Sequence, residues 1–337
     1  MRRAAFALAA VLAAASFHFS GTASGSAANP RPPASVEGLR ILLVNDDGVQ
    51  AQSPLGLDGK GLYELRKALC AAGADVLTVG PWSVQSGMGG RITTGGPVTV
   101  QAVTAPTAYQ GDCGGAASGG KVFGVCAAVA PCTATSPSAS PSDAVLLAVQ
   151  RFVPDNYWSD GPDVVLSGIN FGANVGLGVF HSGTTSAAVT AHELGEAAVA
   201  FSEQLSIACF GNPTSCPQYT DHAAFAVRLV GGLRAGSQLK PSLLLNANYP
   251  DIAAGETVGG PVINQLGVGT DLNFGFGGTV PADGGTYNIG LAPNRPETRA
   301  NADTTALTEN KISIVPLSGD WTARATTKLT TIVSGLG

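Results

Sequence analysis

Two adjacent carboxylates, Asp46 and Asp47, follow the apolar run LRILLV (39–44) and precede Gly48. No Lys or Arg stands beside them, so their ionised forms repel unless a cation lies between them. Further oxygen donors recur downstream at comparable places: Ser83 and Ser86, then Ser167, Asn170 and Asn174, then Ser182-Gly183-Thr184-Thr185. Carboxylate, hydroxyl and amide oxygens suit hard ions such as Mg²⁺, Mn²⁺ or Ca²⁺ rather than zinc. The segment opening at Ser182 reads as a helix start, whose free N–H groups and dipole favour an anion. Each signal has a plainer explanation. An Asp-Asp-Gly is also an ordinary strand-end turn, and a serine before a helix is an ordinary cap. A cation site and an anion site at one rim together point to a phosphoryl substrate, with the ion polarising a phosphate oxygen and acidifying an attacking water. His181 stands where it could meet such a substrate, whereas His192 and His222 read as structural. Trp82 either stacks on a base or packs as a surface aromatic.

These residues share a rim only if the elements before them are parallel strands. Residues 39–44 form an apolar strand, 61–72 have helical spacing ended by Gly73, and 75–79 are a second apolar strand. That is a βαβ unit. The alternation continues with a helix over 143–152, a strand over 163–166, a helix over 182–194 and a strand over 197–202. A helix over 221–233 and a strand over 242–246 complete it. The expected architecture is α/β, a Rossmann-like, doubly wound, mainly parallel sheet in three layers, whose ligand site lies beyond the carboxyl ends of the strands. Residues 92–103 read as a β-ribbon and 105–142 as an inserted loop rich in Gly, Ala, Ser and Cys. The core spans 39–250. From 251 to 337, Gly-rich turns separate short strands at 258–265, 286–291 and 311–315. Such a β extension must pack on the core or exchange with a second protomer.

Composition narrows the field. Of 337 residues, 41 are charged, and the net charge of −5 comes without any Lys/Arg cluster, which excludes a nucleic-acid polymer as the main partner. No GxSxG, no GxxxxGK[ST] and no GxGxxG after the first strand is present, against a hydrolase elbow, a P-loop and a dinucleotide fingerprint. Arg2 and Arg3 precede an apolar stretch over 4–19 and then small residues up to Ala27, the pattern of a cleaved export signal over 1–27, followed by a linker over 28–38. Without Arg2 and Arg3, 16 basic residues face 23 acidic ones, a net charge of −7. No later stretch suits a bilayer span, so the mature chain is expected outside the membrane, secreted or periplasmic. Six cysteines in such a compartment imply structural bridges. Cys209 and Cys216 suit a closed loop, and the remaining pairings stay open.

ILLVNDDG (41–48), VGPWSVQSG (79–87) and VLSGINFGANVG (165–176) running into HSGTTSAA (181–188) resemble the SurE survival-protein family. The resemblance extends to LLNANYP (244–250) and, more weakly, to ADTTAL and KISIVPL near the C-terminus. It implies a divalent-metal-dependent phosphatase acting on nucleoside 5′- and 3′-monophosphates, some members also on polyphosphate. By this resemblance the metal ligands are Asp46, Asp47, Ser86 and Asn170, and the substrate residues Asn45, Asn174, Ser182, Gly183 and Thr184. SPSDAV (140–145) resembles the family's loop near the substrate. Asp46 or Asp47 would also orient or deprotonate the attacking water, with either one eligible. The resemblance further implies a C-terminal β extension exchanged between subunits, hence a homodimer or homotetramer. The departures are Gln85 where the family is commonly basic, GAN (172–174) for GPN, Asn310-Lys311 for Gly-Tyr, the cysteine-bearing insertion and the export signal. The expectation is an exported phosphomonoesterase with a small-molecule substrate. A broad acid phosphatase or exopolyphosphatase, or a non-catalytic secreted protein stabilised by its metal, are the alternatives.

Overall fold

The strand that delivers the two aspartates, β1 (Arg40–Val44), is buried on both faces. Ile41 and Leu43 enter one apolar cluster and Leu42 and Val44 the other, which is why this short strand carries no polar face. The computed structural model describes residues 34–50, 59–210, 212, 216–252, 256–278, 282–320, 322 and 324–335. The expected signal over 1–27 and the start of the linker lie outside the described residues.

After β1 come α1 (Lys60–Ala71), β2 (Asp75–Pro81), β3 (Thr99–Ala102), β4 (Val122–Cys126), α2 (Pro141–Leu147), α3 (Val153–Asn156) and β5 (Val164–Phe171). The chain continues through α4 (Gly183–Glu193), β6 (Ala198–Glu203), α5 (Thr220–Ala235), β7 (Leu244–Tyr249) and β8 (Gly259–Ile263). It closes with β9 (Phe274–Gly277), β10 (Asn288–Leu291), α6 (Asp303–Thr308), β11 (Lys311–Pro316) and α7 (Thr327–Ser334). The main sheet runs β3-β4-β2-β1-β5-β6-β7-β11-β8. All neighbours from β4 to β7 are parallel. Leu62, Leu65 and Leu69 of α1 and Phe225 and Val230 of α5 cover one face, while Ala144 and Val145 of α2 and Ala187, Ala188 and Ala191 of α4 cover the other. The protein is therefore a three-layer, Rossmann-like α/β fold. Strand order grows from β1 to β2 and β4 on one side and to β5 on the other. The switch point lies between β1 and β5, where an open parallel sheet has its ligand crevice.

The fold differs from the sequence expectation where side-chain pattern was weak. Within 92–103 only β3 is a strand, antiparallel to β4. The stretch 105–142, expected as an inserted loop, supplies β4 to the main sheet, because VFGVC buries all five residues beside β2. The helix expected over 143–152 begins at Pro141, where Ser140 and Asp143 cap one another, and widens after Leu147. The C-terminal part, expected to pack on the core or to exchange with a second protomer, adds β8 and β11 to the main sheet. β11 pairs antiparallel with β7 and parallel with β8, and only β9–β10 stand apart as a hairpin. Helix α6 has no counterpart in the sequence expectation.

The six cysteines stand in three pairs with Cα–Cα separations that suit a disulfide: Cys70–Cys113 at 5.0 Å, Cys126–Cys132 at 6.0 Å and Cys209–Cys216 at 4.6 Å. The first ties the 105–142 stretch to α1. No described helix is long and apolar enough to cross a membrane.

Candidate functional site

β1 stops at Val44 because the next three side chains bond to one another and to the ends of neighbouring elements. Asn45 Oδ1 accepts the Asp46 amide (2.9 Å), and Asn45 Nδ2 donates to Asp47 Oδ2 (3.1 Å) and to the Ile169 carbonyl (3.2 Å). Gly48 turns with φ 80°, and a Cβ there would lie 2.9 Å from the Ser83 carbonyl carbon. That close approach brings in the loop after β2. The Gln85 amide donates to the Asp46 carbonyl (2.7 Å) and Ser86 Oγ to Asp47 Oδ1 (3.2 Å). From the end of β5, the Phe171 amide donates to Asp47 Oδ2 (3.0 Å). From α4, Thr184 Oγ1 donates to Asp46 Oδ1 (2.6 Å). Gly183 is required here, since a Cβ would lie 2.7 Å from both Cβ and Oδ2 of Asp46.

Asp46 and Asp47 are almost fully buried, and Asn170 is 8% exposed. Burial pushes the Asp46 carboxyl above the ordinary range, although Thr184 and the Gly183 and Thr184 amides favour its ionised form. Burial, then the neighbouring Asp46 charge, raises Asp47 to about 7. Two buried carboxylates side by side, with no ammonium or guanidinium of the described residues bonded to either, form a site that a divalent cation would relieve. Asn170 gives an independent sign. Its Nδ2 donates to the Gly172 carbonyl (2.7 Å), while its Oδ1 is buried without a partner. An orphaned acceptor at this position costs free energy that an ion would recover. Asp46, Asp47, Ser86 and Asn170 thus fit a hard ion. No cluster of three or more His, Cys, Asp or Glu suited to a metal occurs among the described residues, in keeping with a mixed oxygen set.

Asp46, Ser86 and Asn170 face a cavity of about 520 Å³ together with Asn174, His181 and Ser182. Asp47 reaches this set through Ser86. The other expected substrate residues stand elsewhere. Asn45 and Thr184 are wholly buried and orient the two aspartates, and Gly183 packs against Asp46. The helix start read from sequence as an anion cradle is thus engaged by the protein's own carboxylate, which leaves Ser182 as its cavity-facing group. Ser182 Oγ also accepts the Thr185 amide (2.9 Å). Asn174 lines the cavity but is itself held: its Nδ2 donates to Ser202 Oγ (2.8 Å) and its carbonyl accepts from Asn246 (2.8 Å) and Asn248 (3.1 Å). Asn246 and Asn248 belong to LLNANYP, so a sequence signal for this support existed. Trp82 packs instead of stacking on a ligand, with its ring on Gly124 and its Nε1 donating to Thr133.

The far wall of the cavity escaped the sequence reading. It is built by Thr270, Asp271, Leu272, Asn273, Phe274 and Arg295. Asp303 secures this wall: its Oδ2 accepts the Gly176 amide (3.0 Å) and its Oδ1 the Gly267 amide (2.8 Å). Leu177 N donates to the Gly269 carbonyl (3.2 Å), and Glu297 accepts from the Val268 and Gly269 amides and from Thr304. These are bonds to backbone, which residue types do not announce.

The family model described as "Survival protein SurE" matches residues 41–268. A protein of Vibrio parahaemolyticus named 5′-nucleotidase SurE is 30% identical over 85% of this chain and 90% of its own. One of Solidesulfovibrio magneticus with the same name is 33% identical over 65% of this chain and 68% of its own. The crystal structure of the SurE protein from Aquifex aeolicus shares the fold, with a TM-score of 0.60 and 24% identity over 88% of this chain and 98% of that one. With its paired aspartates at the switch point of the sheet and the family match covering β1 through β8, about two thirds of the chain, this chain belongs to the SurE survival-protein family.

Proposed function

We propose that this protein is a divalent-metal-dependent phosphomonoesterase that hydrolyses nucleoside 5′-monophosphates, and 3′-monophosphates as well, to nucleoside and phosphate. The observation that carries the reading is the buried Asp46–Asp47 pair beside a hollow lined by Asp46, Ser86 and Asn170, whose Oδ1 is an orphaned acceptor. The names borne by the Vibrio and Solidesulfovibrio relatives support the nucleotide substrate. Asp46, Asp47, Ser86 and Asn170 would hold the ion, for which Mg²⁺ or Mn²⁺ is the proposed choice. Bound there, it supplies Lewis acidity toward a phosphoryl oxygen and acidifies a water.

The chain's own groups do the positioning. Thr184 and Asn45 hold the two carboxylates in place, so no reorganisation is needed when the substrate arrives. Asp46, the one of the pair on the cavity surface, is placed to orient the attacking water and to hold its proton. Ser182 Oγ and the Asn174 amide edge offer donors to the phosphoryl oxygens. Leu177, Leu272 and Phe274 offer apolar surface to a nucleoside.

We also propose export and self-association. Three cysteine pairs suit an oxidising compartment. The β9–β10 hairpin exposes Phe274, Phe276, Ile289 and Leu291 at 58–72%, an apolar strip suited to a second copy of the chain. The test is phosphate release from AMP by the mature protein, with Mg²⁺ or Mn²⁺ and with chelator, beside an aryl phosphate and polyphosphate. Activity that needs the ion and prefers AMP supports the reading. Asp46→Asn should abolish it while circular dichroism stays unchanged, and wild-type rates in that variant refute the assignment.

A further inference from the structure

The cavity presents a charge imbalance that its core side does not resolve. Asp46 and Asp271 line it, Asp47 stands directly behind Ser86, and the proposed substrate brings a phosphate dianion. One ion offsets only part of this. On the core side the nearest loop offers no cation: residue 85 is a neutral glutamine whose Nε2 donates to the Val84 carbonyl. Arg91 is turned to the Ser138 carbonyl (3.2 Å) and to Gln85 (3.5 Å). Among the described lining residues, Arg295 is the sole Lys or Arg.

Arg295 is also built to stay where it is. Its amide donates to Thr270 Oγ1 (2.9 Å) and its carbonyl accepts the Thr270 amide (3.3 Å). Asn294 Nδ2 donates to the Asp271 carbonyl (2.5 Å), Asn273 Nδ2 to the Pro293 carbonyl (2.8 Å), and the Ala292 amide to the Asn273 carbonyl (2.9 Å). These bonds zip 292–295 to 270–273 below the β9–β10 hairpin. Pro296 further restricts the backbone of the residue before it. Arg295 is exposed and lines the cavity, and its guanidinium makes no hydrogen bond or ion pair with any described residue, so its five donors are unspent. Thr270 and Asp271 occupy the same wall, and Asp271 Oδ1 accepts from Gln204 Nε2 (2.7 Å).

We infer that Arg295, delivered by the C-terminal segment, binds the phosphoryl oxygens of the substrate opposite the metal-holding residues. This deepens the phosphomonoesterase reading and rests on it. A guanidinium matches a phosphate with two parallel donors and remains charged at any working pH, so it suits an exposed cavity wall better than lysine would. The class of ligand selected is a dianionic phosphate end, whatever alcohol it is esterified to. Nucleoside contacts are left to the apolar part of the wall.

The test compares wild type, Arg295→Met and Arg295→Lys in the mature chain loaded with Mn²⁺. Orthophosphate binding is read by calorimetry, AMP hydrolysis by phosphate release, and inhibition by adenosine alongside. Arg295→Met should weaken orthophosphate about 10- to 100-fold, the range of one set of charge-assisted hydrogen bonds. It should raise KM for AMP in step with that loss. Arg295→Lys should recover part of both. The adenosine inhibition constant and the gain in melting temperature from Mn²⁺ should stay unchanged. Unaltered orthophosphate binding in Arg295→Met overturns the inference. So does a raised adenosine constant with orthophosphate binding retained, which assigns the guanidinium to the nucleoside. Loss of the Mn²⁺ effect on melting overturns it too, by marking Arg295 as structural. If the wild type hydrolyses no phosphomonoester with any divalent ion, the phosphomonoesterase reading fails, while the calorimetry still judges Arg295 by itself.

Discussion

The cavity has two walls of different construction. The core wall, at the ends of β1 and β5, the loop after β2 and the start of α4, consists of polar groups bonded to each other, with Asn45, Asp46, Asp47 and Thr184 buried: Asn45 to both aspartates, Thr184 to Asp46, Ser86 and the Phe171 amide to Asp47. The far wall is half-buried over 270–273 and exposed at Phe274 and Arg295, and is fastened by backbone bonds to Thr270, Glu297 and Asp303. The first arrangement holds charge in a low-dielectric setting, where position controls reactivity. The second sets what can approach. On the proposed function, one wall would serve chemistry and the other selection, and a mutation in each should leave a different kinetic mark.

The largest contrast should come from Gly183→Ala, which forces a Cβ to within 2.7 Å of the Asp46 side chain. Displacement of that carboxylate is expected to lower kcat about 10²-fold, the scale of a misplacement near 1 Å, with a smaller change in KM. Steady-state kinetics on AMP measure it. A KM effect alone would show that the core wall does not carry the chemistry.

Asp303→Ala should act on the other wall. It removes the acceptor for the Gly176, Gly267 and Thr304 amides, all joined to a carboxylate that is itself wholly buried. A few-fold rise in KM with kcat within about twofold is expected. Stability should fall by about 1–3 kcal/mol, the cost of orphaning buried donors. Denaturant melts and kinetics read both, and a kcat loss as large as that of Gly183→Ala would erase the distinction between the walls.

With pH, the walls should respond in opposite directions. Without metal, Asp47 in the folded chain holds its proton up to about 7, above the ordinary carboxylate value of 3.8. The folded state binds more protons than the unfolded one between those values. The chelated protein should therefore lose stability as pH rises from about 4 to 7, and a divalent ion should reverse this trend. Glu297 behaves the other way. Desolvation works against its ionised form, but Thr304 and the Gly269, Arg299 and Thr298 amides outweigh it and hold the carboxyl down at about 2. Its clasp is complete above its ordinary value of 4.5 and is lost as pH falls toward 2, so the protection of the Gly269, Thr298 and Arg299 amides, corrected for the intrinsic exchange rate, should drop only in acid. Matching pH profiles for both walls would contradict these assignments.

Much of the core wall was legible in residue order. An apolar run ending in Asn-Asp-Asp-Gly, and a second strand ending in Ser-Gly-Ile-Asn, define adjacent strand ends once the βαβ alternation is recognised, because parallel strands point their carboxyl ends to one side. What those signals did not convey was division of labour. Asn45, Gly183 and Thr184 are in the right neighbourhood but serve Asp46 and Asp47 instead of facing the cavity. The reason is that a buried carboxylate takes up the nearest helix-start amides before any ligand arrives. β4 was hidden for another reason. Its five residues lie among Gly, Ser and Cys turns, and burial beside β2 overrides that local composition.

The sequence by itself determined the α/β class, the strand ends that carry the oxygen donors and the pairing of carboxylates that calls for a cation, since all three follow from short-range periodicity and residue chemistry. Tertiary structure alone decided that β11 closes on β7, that Asp303 anchors the C-terminal segment at Gly176, and that Arg295 reaches the cavity. Those contacts join residues far apart in the chain through backbone amides and carbonyls, which every residue carries alike, so no pattern of side chains could announce them.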